Sequence, residues 1–189
     1  MNTPIRTFIA LKIQPEETLI RTISILKRTL DEEAIKWVET TNLHLTLKFL
    51  GDTLPGQVEE VKKHLEYITW KKTDFQITLK GLGFFKSKGH PRVLFARVHD
   101  FEPLELLAEE IDKQLEKTGY ERDRRKFKPH LTLARIKYLK NIREFYRVID
   151  KLKDTFFQKA NVSEITFYKS NLTPQGPVYE PLLKVPFKS

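Results

Sequence analysis

Apolar residues recur along this 189-residue chain in two rhythms, and the switches between them predict its elements. Residues 7–13 are apolar enough for a central strand. Leu19, Ile23, Leu26 and Leu30 then repeat at helical spacing behind Pro15, a residue that the first turn of a helix tolerates. Val58, Val61, Leu65 and Ile68 mark a second helix. Leu104, Leu107, Ile111 and Leu115 mark a third, with Asp100 as its predicted N-cap. Strands are predicted at 75–82 and 92–98, on either side of a loop over 86–91. A short helix over 141–152 and two strands near 162–168 and 178–187 complete the order. No linker or low-complexity stretch interrupts it, so residues 1–189 read as a single α+β domain.

Within this order one heptapeptide occurs in two near-copies that share His-Leu-Thr-Leu. The copies are His44-Leu45-Thr46-Leu47-Lys48-Phe49-Leu50 and His130-Leu131-Thr132-Leu133-Ala134-Arg135-Ile136. Side chains alternate faces along a strand, so His and Thr at i and i+2 share one face while the two Leu share the other. Each copy would bury its Leu pair and present an imidazole beside a hydroxyl. Two such strands on one cleft supply two groups that titrate near neutrality, one to take a proton and one to give it. Thr46 and Thr132 could donate hydrogen bonds to the non-bridging oxygens of a phosphate. The order of elements before the first copy is echoed before the second, which predicts two related lobes of mostly antiparallel sheet covered by helices.

Charge narrows the substrate. Thirty-four Lys and Arg against 25 Asp and Glu give a net charge of +9, a balance that favours polyanions and nucleic acid above all. Five basic residues, Arg122, Arg124, Arg125, Lys126 and Lys128, crowd the segment that leads into the second heptapeptide, with Phe127 among them as a candidate base-stacking ring. The chain has no cysteine, which excludes disulfides, thiolate catalysis and cysteine-held metals. No histidine–carboxylate spacing suggests a metal, so none is expected, nor any cofactor. No apolar run approaches the roughly 20 residues of a membrane span. The start of the chain shows no signal-peptide pattern, and the expected location is the cytoplasm.

The segments Arg6-Thr7-Phe8-Ile9-Ala10-Leu11, Asn42 to Gly51, Pro91-Arg92-Val93-Leu94-Phe95 and Phe127 to Arg135 together resemble the 2H phosphoesterases. Within that superfamily they resemble the RNA 2′,3′-cyclic phosphodiesterases, also called 2′-5′ RNA ligases. The resemblance implies a bilobal fold with a pseudo-twofold axis and a central cleft. It implies metal-independent opening of a 2′,3′-cyclic phosphate at an RNA end to a 2′-phosphate, with His44 as proton donor and His130 as proton acceptor. Reverse 2′-5′ ligation would use the same site. Phe8 becomes a further candidate RNA contact, and Arg135 a candidate phosphate ligand. Arg135 conflicts with strand parity, since a residue five after His130 belongs on the opposite face unless the strand ends or bulges after Leu133.

The partner expected is therefore RNA with a 2′,3′-cyclic phosphate end, handled by a monomer. Two other readings stay open. One keeps the chemistry on a small cyclic nucleotide or an ADP-ribose cyclic phosphate. The other makes the His-Thr strands a non-catalytic phosphate grip in an RNA-binding protein.

Overall fold

The computed structural model describes residues 3–174 and 176–188; positions 1 and 2, where a leader would begin, lie outside the described residues. Nine strands and four helices follow one another among the described residues. The first part runs β1 (Ile5–Lys12), α1 (Glu17–Thr29), β2 (Ala34–Trp37), β3 (His44–Thr53) and α2 (Pro55–Thr69). It continues with the hairpin β4 (Phe75–Ser87) and β5 (His90–His99), then α3 (Glu102–Glu116), β6 (His130–Tyr138) and α4 (Ile142–Lys151). The chain closes with β7 (Phe156–Val162), β8 (Glu164–Thr173) and β9 (Gly176–Pro186).

The strands form two antiparallel sheets, ordered β3-β1-β8-β9 and β2-β6-β5-β4-β7. Setting β3 against β6, β1 against β5, β8 against β4 and β9 against β7 brings the sheets into correspondence, with β2 as the one addition. The expected pseudo-twofold pair of sheets is therefore present, but the lobes are not halves of the sequence. β2 leaves the first half to cover the outer edge of β6, and β8 and β9 return from the C-terminal end to complete the first sheet. The helices trade places too. α1 follows a strand of the first sheet yet packs on β7, while α3 follows a strand of the second yet packs on β3 and α2. Their apolar stripes, Leu19–Ile23–Leu26 and Leu104–Leu107–Ile111–Leu115, join both sheets in one buried cluster.

Several local expectations are corrected. Asp100 does not cap α3; it has φ +56° and its carboxylate accepts from Thr78 Oγ1 at 2.7 Å, and Phe101 takes the N-cap position. Pro15 precedes α1, whose N-cap is Glu16. The predicted loop 86–91 shrinks to Lys88-Gly89, both at positive φ (50° and 81°), as a two-residue hairpin turn requires. The strand expected over 162–168 is β8, which begins just after the chain crosses between sheets at Ser163 and runs on to Thr173. β2 and most of β7 were not foreseen, because each is short or half-polar. α4 begins at a true N-cap, Asn141, whose side chain accepts from the Glu144 N–H at 3.1 Å.

Gly81 shows how closely β4 meets its neighbours. It sits at φ +77°, and a Cβ there would lie 2.0 Å from the Lys153 carbonyl oxygen. Gly51 has a similar φ of +71° but open space around it. Gly81→Ala should therefore lower unfolding free energy by more than Gly51→Ala, which should cost only the left-handed penalty of about 1–2 kcal/mol. Urea denaturation of the two variants checks this, and equal losses would show that the contact with Lys153 relaxes freely.

Candidate active site

The site is built by two strands that break the alternation of faces at the same place. In β3 the ladder with β1 pairs Ala10 with Thr46 and Ile9 with Lys48, leaving Leu47 as the extra residue. In β6 the ladder with β5 pairs Phe95 with Thr132 and Leu94 with Ala134, leaving Leu133 as the extra residue. Each bulge puts two consecutive residues on the core side: Leu47 with Lys48, and Leu133 with Ala134. The Leu pairs at 45 and 47 and at 131 and 133 are no more than 5% exposed, as their pattern predicts. After the bulge the next residue turns back to the cleft. This resolves the parity conflict at Arg135, which is exposed on the face of His130 and Thr132. Phe49 holds the equivalent position beside His44 and Thr46 and is 66% exposed.

Both histidines are half-buried and held in the same way. His44 Nδ1 lies 2.7 Å from the Asn42 carbonyl oxygen, and His130 Nδ1 lies 2.8 Å from that of Lys128. A carbonyl can only accept, so each Nδ1 carries the proton and each Nε2 is left to meet a substrate. Burial holds His44 below the usual imidazole value; the bond to the Asn42 carbonyl opposes this, while the nearby charges of His130 and Arg135 add to it. Burial likewise lowers His130, partly offset by its bond to Lys128 and reinforced by Arg135. One guanidinium thus acts on both rings, and β3 and β6 contact each other without sharing a hydrogen-bonded ladder. Neither the Thr46 nor the Thr132 hydroxyl has a side-chain hydrogen bond among the described residues, and both share the cleft face with the histidines.

Each ring stands beside aromatic neighbours. Around His44 are Phe8 at 5.2 Å and Tyr179 at 5.1 Å between ring centres, with Tyr168 stacked on Phe8 at 5.1 Å. A pocket of about 110 Å³ opens there, bordered by Lys12, Asn42, Tyr168, Tyr179 and Lys184. Around His130 are Phe85 at 4.8 Å and Phe95 at 5.4 Å. Tyr168, Tyr179, Phe95 and Phe49 were not foreseen as site residues. Phe49 and Arg135 share one offset from their histidines, a signal the repeat already carried. Tyr168 and Tyr179 lie in distant strands that only the sheet topology brings in. A larger hollow of about 570 Å³ is lined by Leu54, Gln57, Glu60 and Lys117, none of them a site residue.

The start of the basic segment is tied to β3. Lys48, 4% exposed, ties it there: its ammonium pairs with Asp112 on α3 and donates to the Glu121 carbonyl at 2.9 Å. Asp112 in turn accepts from the Asp123 N–H at 3.1 Å. Arg122 pairs with Glu116 at 3.2 Å and Lys126 with Glu105 at 3.6 Å. Arg124, Arg125 and Lys128 form no ion pair among the described residues. Phe127 is half-buried against the main core, so it anchors the segment and is not presented for stacking. No three His, Cys, Asp or Glu side chains gather as a metal site among the described residues.

A family model for LigT-like phosphoesterases matches residues 11–95 and 99–179. The chain belongs to that family. A Methanocaldococcus jannaschii protein named RNA 2′,3′-cyclic phosphodiesterase is 33% identical over 175 residues, covering 93% of this chain and 96% of its own length. An Aquifex aeolicus protein of the same name is 38% identical over 148 residues, covering 76% of this chain and 77% of its own. Among solved structures, one from Thermus thermophilus superposes with a TM-score of 0.78 at 26% identity, covering 96% of this chain and 97% of that one. Escherichia coli LigT complexed with 3′-AMP shares the fold, with a TM-score of 0.75 at 24% identity and 98% and 99% coverage. In this LigT-like phosphoesterase the strands of the two repeats contact each other, and the bulge lets each turn a third residue to the face of its histidine.

The reach of Arg135 to both rings is directly measurable. Replacing it with Gln removes a positive charge that disfavours both imidazolium forms, so the pKa of His44 and of His130 should rise. Titration of the ring resonances by NMR reads both, and a rise at neither ring would place the guanidinium outside the cleft.

Proposed function

We propose that the chain hydrolyses the 2′,3′-cyclic phosphate end of RNA to a 2′-phosphomonoester by two-histidine acid–base catalysis. The observation that carries this reading is the matched anchoring of His44 and His130, each with Nδ1 fixed to a carbonyl and Nε2 left for the substrate. A neutral ring in this tautomer has its lone pair on Nε2 and can take a proton from water. A charged ring has a proton there to give. His130 would deprotonate the attacking water as its oxygen bonds to phosphorus. His44 would protonate the departing 3′-oxygen as the P–O3′ bond breaks. Thr46, Thr132 and Arg135 would hold the non-bridging oxygens, where charge builds in the transition state. The names of the relatives support RNA as the substrate class. No step needs a metal or a cofactor.

Phe8 is buried at 3% exposure and so backs the site without facing RNA; Tyr179, packed on Phe8 and Tyr168, would receive the nucleoside whose 3′-oxygen departs beside His44. Arg124, Arg125 and Lys128, which make no ion pair among the described residues, would hold phosphates further along the strand. Arg122 and Lys126 would join them by exchanging their glutamates for phosphates. Charges laid beyond the reacting centre favour a polymer over a small cyclic nucleotide. Both repeats come from one chain, which supports a monomer as the working unit. An RNA substrate and a cysteine-free sequence support a cytoplasmic site of action. No helix among the described residues is long and apolar enough to cross a membrane.

Three sets of measurements test the reading. On a short RNA ending in a 2′,3′-cyclic phosphate, with EDTA present, His44→Ala and His130→Ala should each lower kcat by about 10²- to 10⁴-fold while RNA binding is kept. Loss of binding together with turnover would favour a phosphate grip without catalysis. The kcat/KM profile should be a bell, since His44 must be charged and His130 neutral. Both rings are lowered in the free protein, so the alkaline limb should fall below about pH 6.5. In kcat that limb should move upward, because a bound phosphate anion favours the imidazolium. A profile flat from about pH 5 to 9 would rule out the histidine pair.

Neutralising Arg124, Arg125 and Lys128 should weaken oligonucleotide binding and lower the slope of log affinity against log salt by roughly 0.7 per lost phosphate contact. Hydrolysis of a mononucleoside 2′,3′-cyclic phosphate should respond far less, as it has no further phosphates. Equal losses on both substrates would show that the segment shapes the site and does not hold the strand.

A further inference from the structure

In-line displacement gives the two sides of the cleft different tenants. In the function proposed above, on which this inference rests, the departing 3′-oxygen and its nucleoside lie beside His44. The nucleophile enters from the opposite side, at His130. Water needs no platform there, yet the second sheet supplies one. Phe85 and Phe95 lie 4.4 Å apart between ring centres, and both abut the His130 ring. Orienting an imidazole accounts for such neighbours but not for Arg97. Arg97 is the cross-strand partner of His130 on β5, two residues beyond Phe95 and so on the same face. It is exposed and forms no ion pair or side-chain hydrogen bond among the described residues. Gly83 lies beneath both: a Cβ there would come 2.6 Å from the Phe95 ring and 3.1 Å from Arg97 Nε. A missing side chain thus lets a ring and a guanidinium settle side by side next to the base.

We propose that Phe85, Phe95 and Arg97 form a second nucleotide subsite, which holds the 5′-hydroxyl end of an RNA strand so that its 5′-oxygen replaces water. The 5′-hydroxyl gives its proton to His130 Nε2 as the O5′–P bond forms. The P–O3′ bond breaks, and O3′ takes the proton from His44 Nε2. The product is a 2′,5′-phosphodiester with a free 3′-hydroxyl. Nothing is released, no nucleotide is consumed, and the two rings recover their protonation by exchange with solvent. The aromatic faces suit a base, and Arg97 suits either its π-face or the next phosphate. Water competes at about 55 M, so ligation depends on occupancy of this subsite and on the effective molarity it confers.

The test supplies a fixed concentration of an RNA ending in 2′,3′-cyclic phosphate and a rising concentration of a 5′-hydroxyl trinucleotide. The ratio of ligated to hydrolysed product is then measured. Saturation of that ratio, with a half-saturating concentration raised at least about fivefold by Arg97→Gln, is the expected result. The same trinucleotide carrying a 5′-phosphate cannot attack but should compete with it. Ligation that rises linearly without saturating, a half-saturation unmoved by Arg97→Gln, or hydrolysis with no ligated product overturns the subsite and leaves the hydrolase standing. Failure of the hydrolase reading looks different: no turnover of the cyclic phosphate even without trinucleotide.

Discussion

A bulge at the same position of two strands decides which side chains the cleft receives. A regular strand with His and Thr on the cleft would turn the residue five after His into the core. The extra residue at Leu47 and at Leu133 shifts the phase once, so the cleft receives three residues from each repeat. The shift is secured from behind by the Leu pairs, since each fully buried Leu contributes roughly 1.5–3 kcal/mol that a slipped register would forfeit. The backbone carbonyls of Asn42 and Lys128, just before the strands, then orient the rings. Register, bulge and carbonyl together fix each imidazole without any carboxylate behind it.

Around this shared frame the repeats have diverged in ways that divide the labour. After the bulge one presents Phe49 and the other Arg135, so only one side brings a phosphate-seeking charge. The second core-side residue is Lys48 in one and Ala134 in the other. Ala134 sits under the ladder with β2, opposite Trp37. Lys48 has no such strand to cover it and uses its charge to pin the basic segment through Asp112 and Glu121. The lobe without an added strand therefore holds the start of the cationic segment through a buried ammonium.

Most of this frame was legible in the sequence. The spacing of Leu19, Ile23, Leu26 and Leu30 marked a helix, and the duplicated His-x-Thr with its Leu pairs marked the strands, because burial of one face imposes strict periods. The features that escaped lie where burial is weak or distant. β2 has two exposed and two half-buried residues, no stronger than a turn would show. Asp100 carried the composition of a cap, but a left-handed backbone and Thr78 claimed its carboxylate instead. Tyr168 and Tyr179 reach His44 only because the last two strands return to the first sheet, a long-range pairing that local pattern cannot encode. The bulge itself was visible only as a contradiction: Arg135 on the wrong face of an ideal strand.

The electrostatics of the cleft before substrate arrives also bear on how it would work. Burial and Arg135 both disfavour charge on the histidines, and no carboxylate among the described residues acts on either ring. The free site therefore disfavours a positive charge on either ring. A phosphodiester anion placed between them reverses the sign of the local field, and the imidazolium that was penalised becomes the favoured partner. Arg135 penalises that charge in the free protein, and in the function proposed above it would hold the anion that offsets the penalty. A carboxylate behind either ring would favour its charged form with or without substrate. With carbonyls there instead, the proton donor of the proposed reaction would depend on the group that needs the proton.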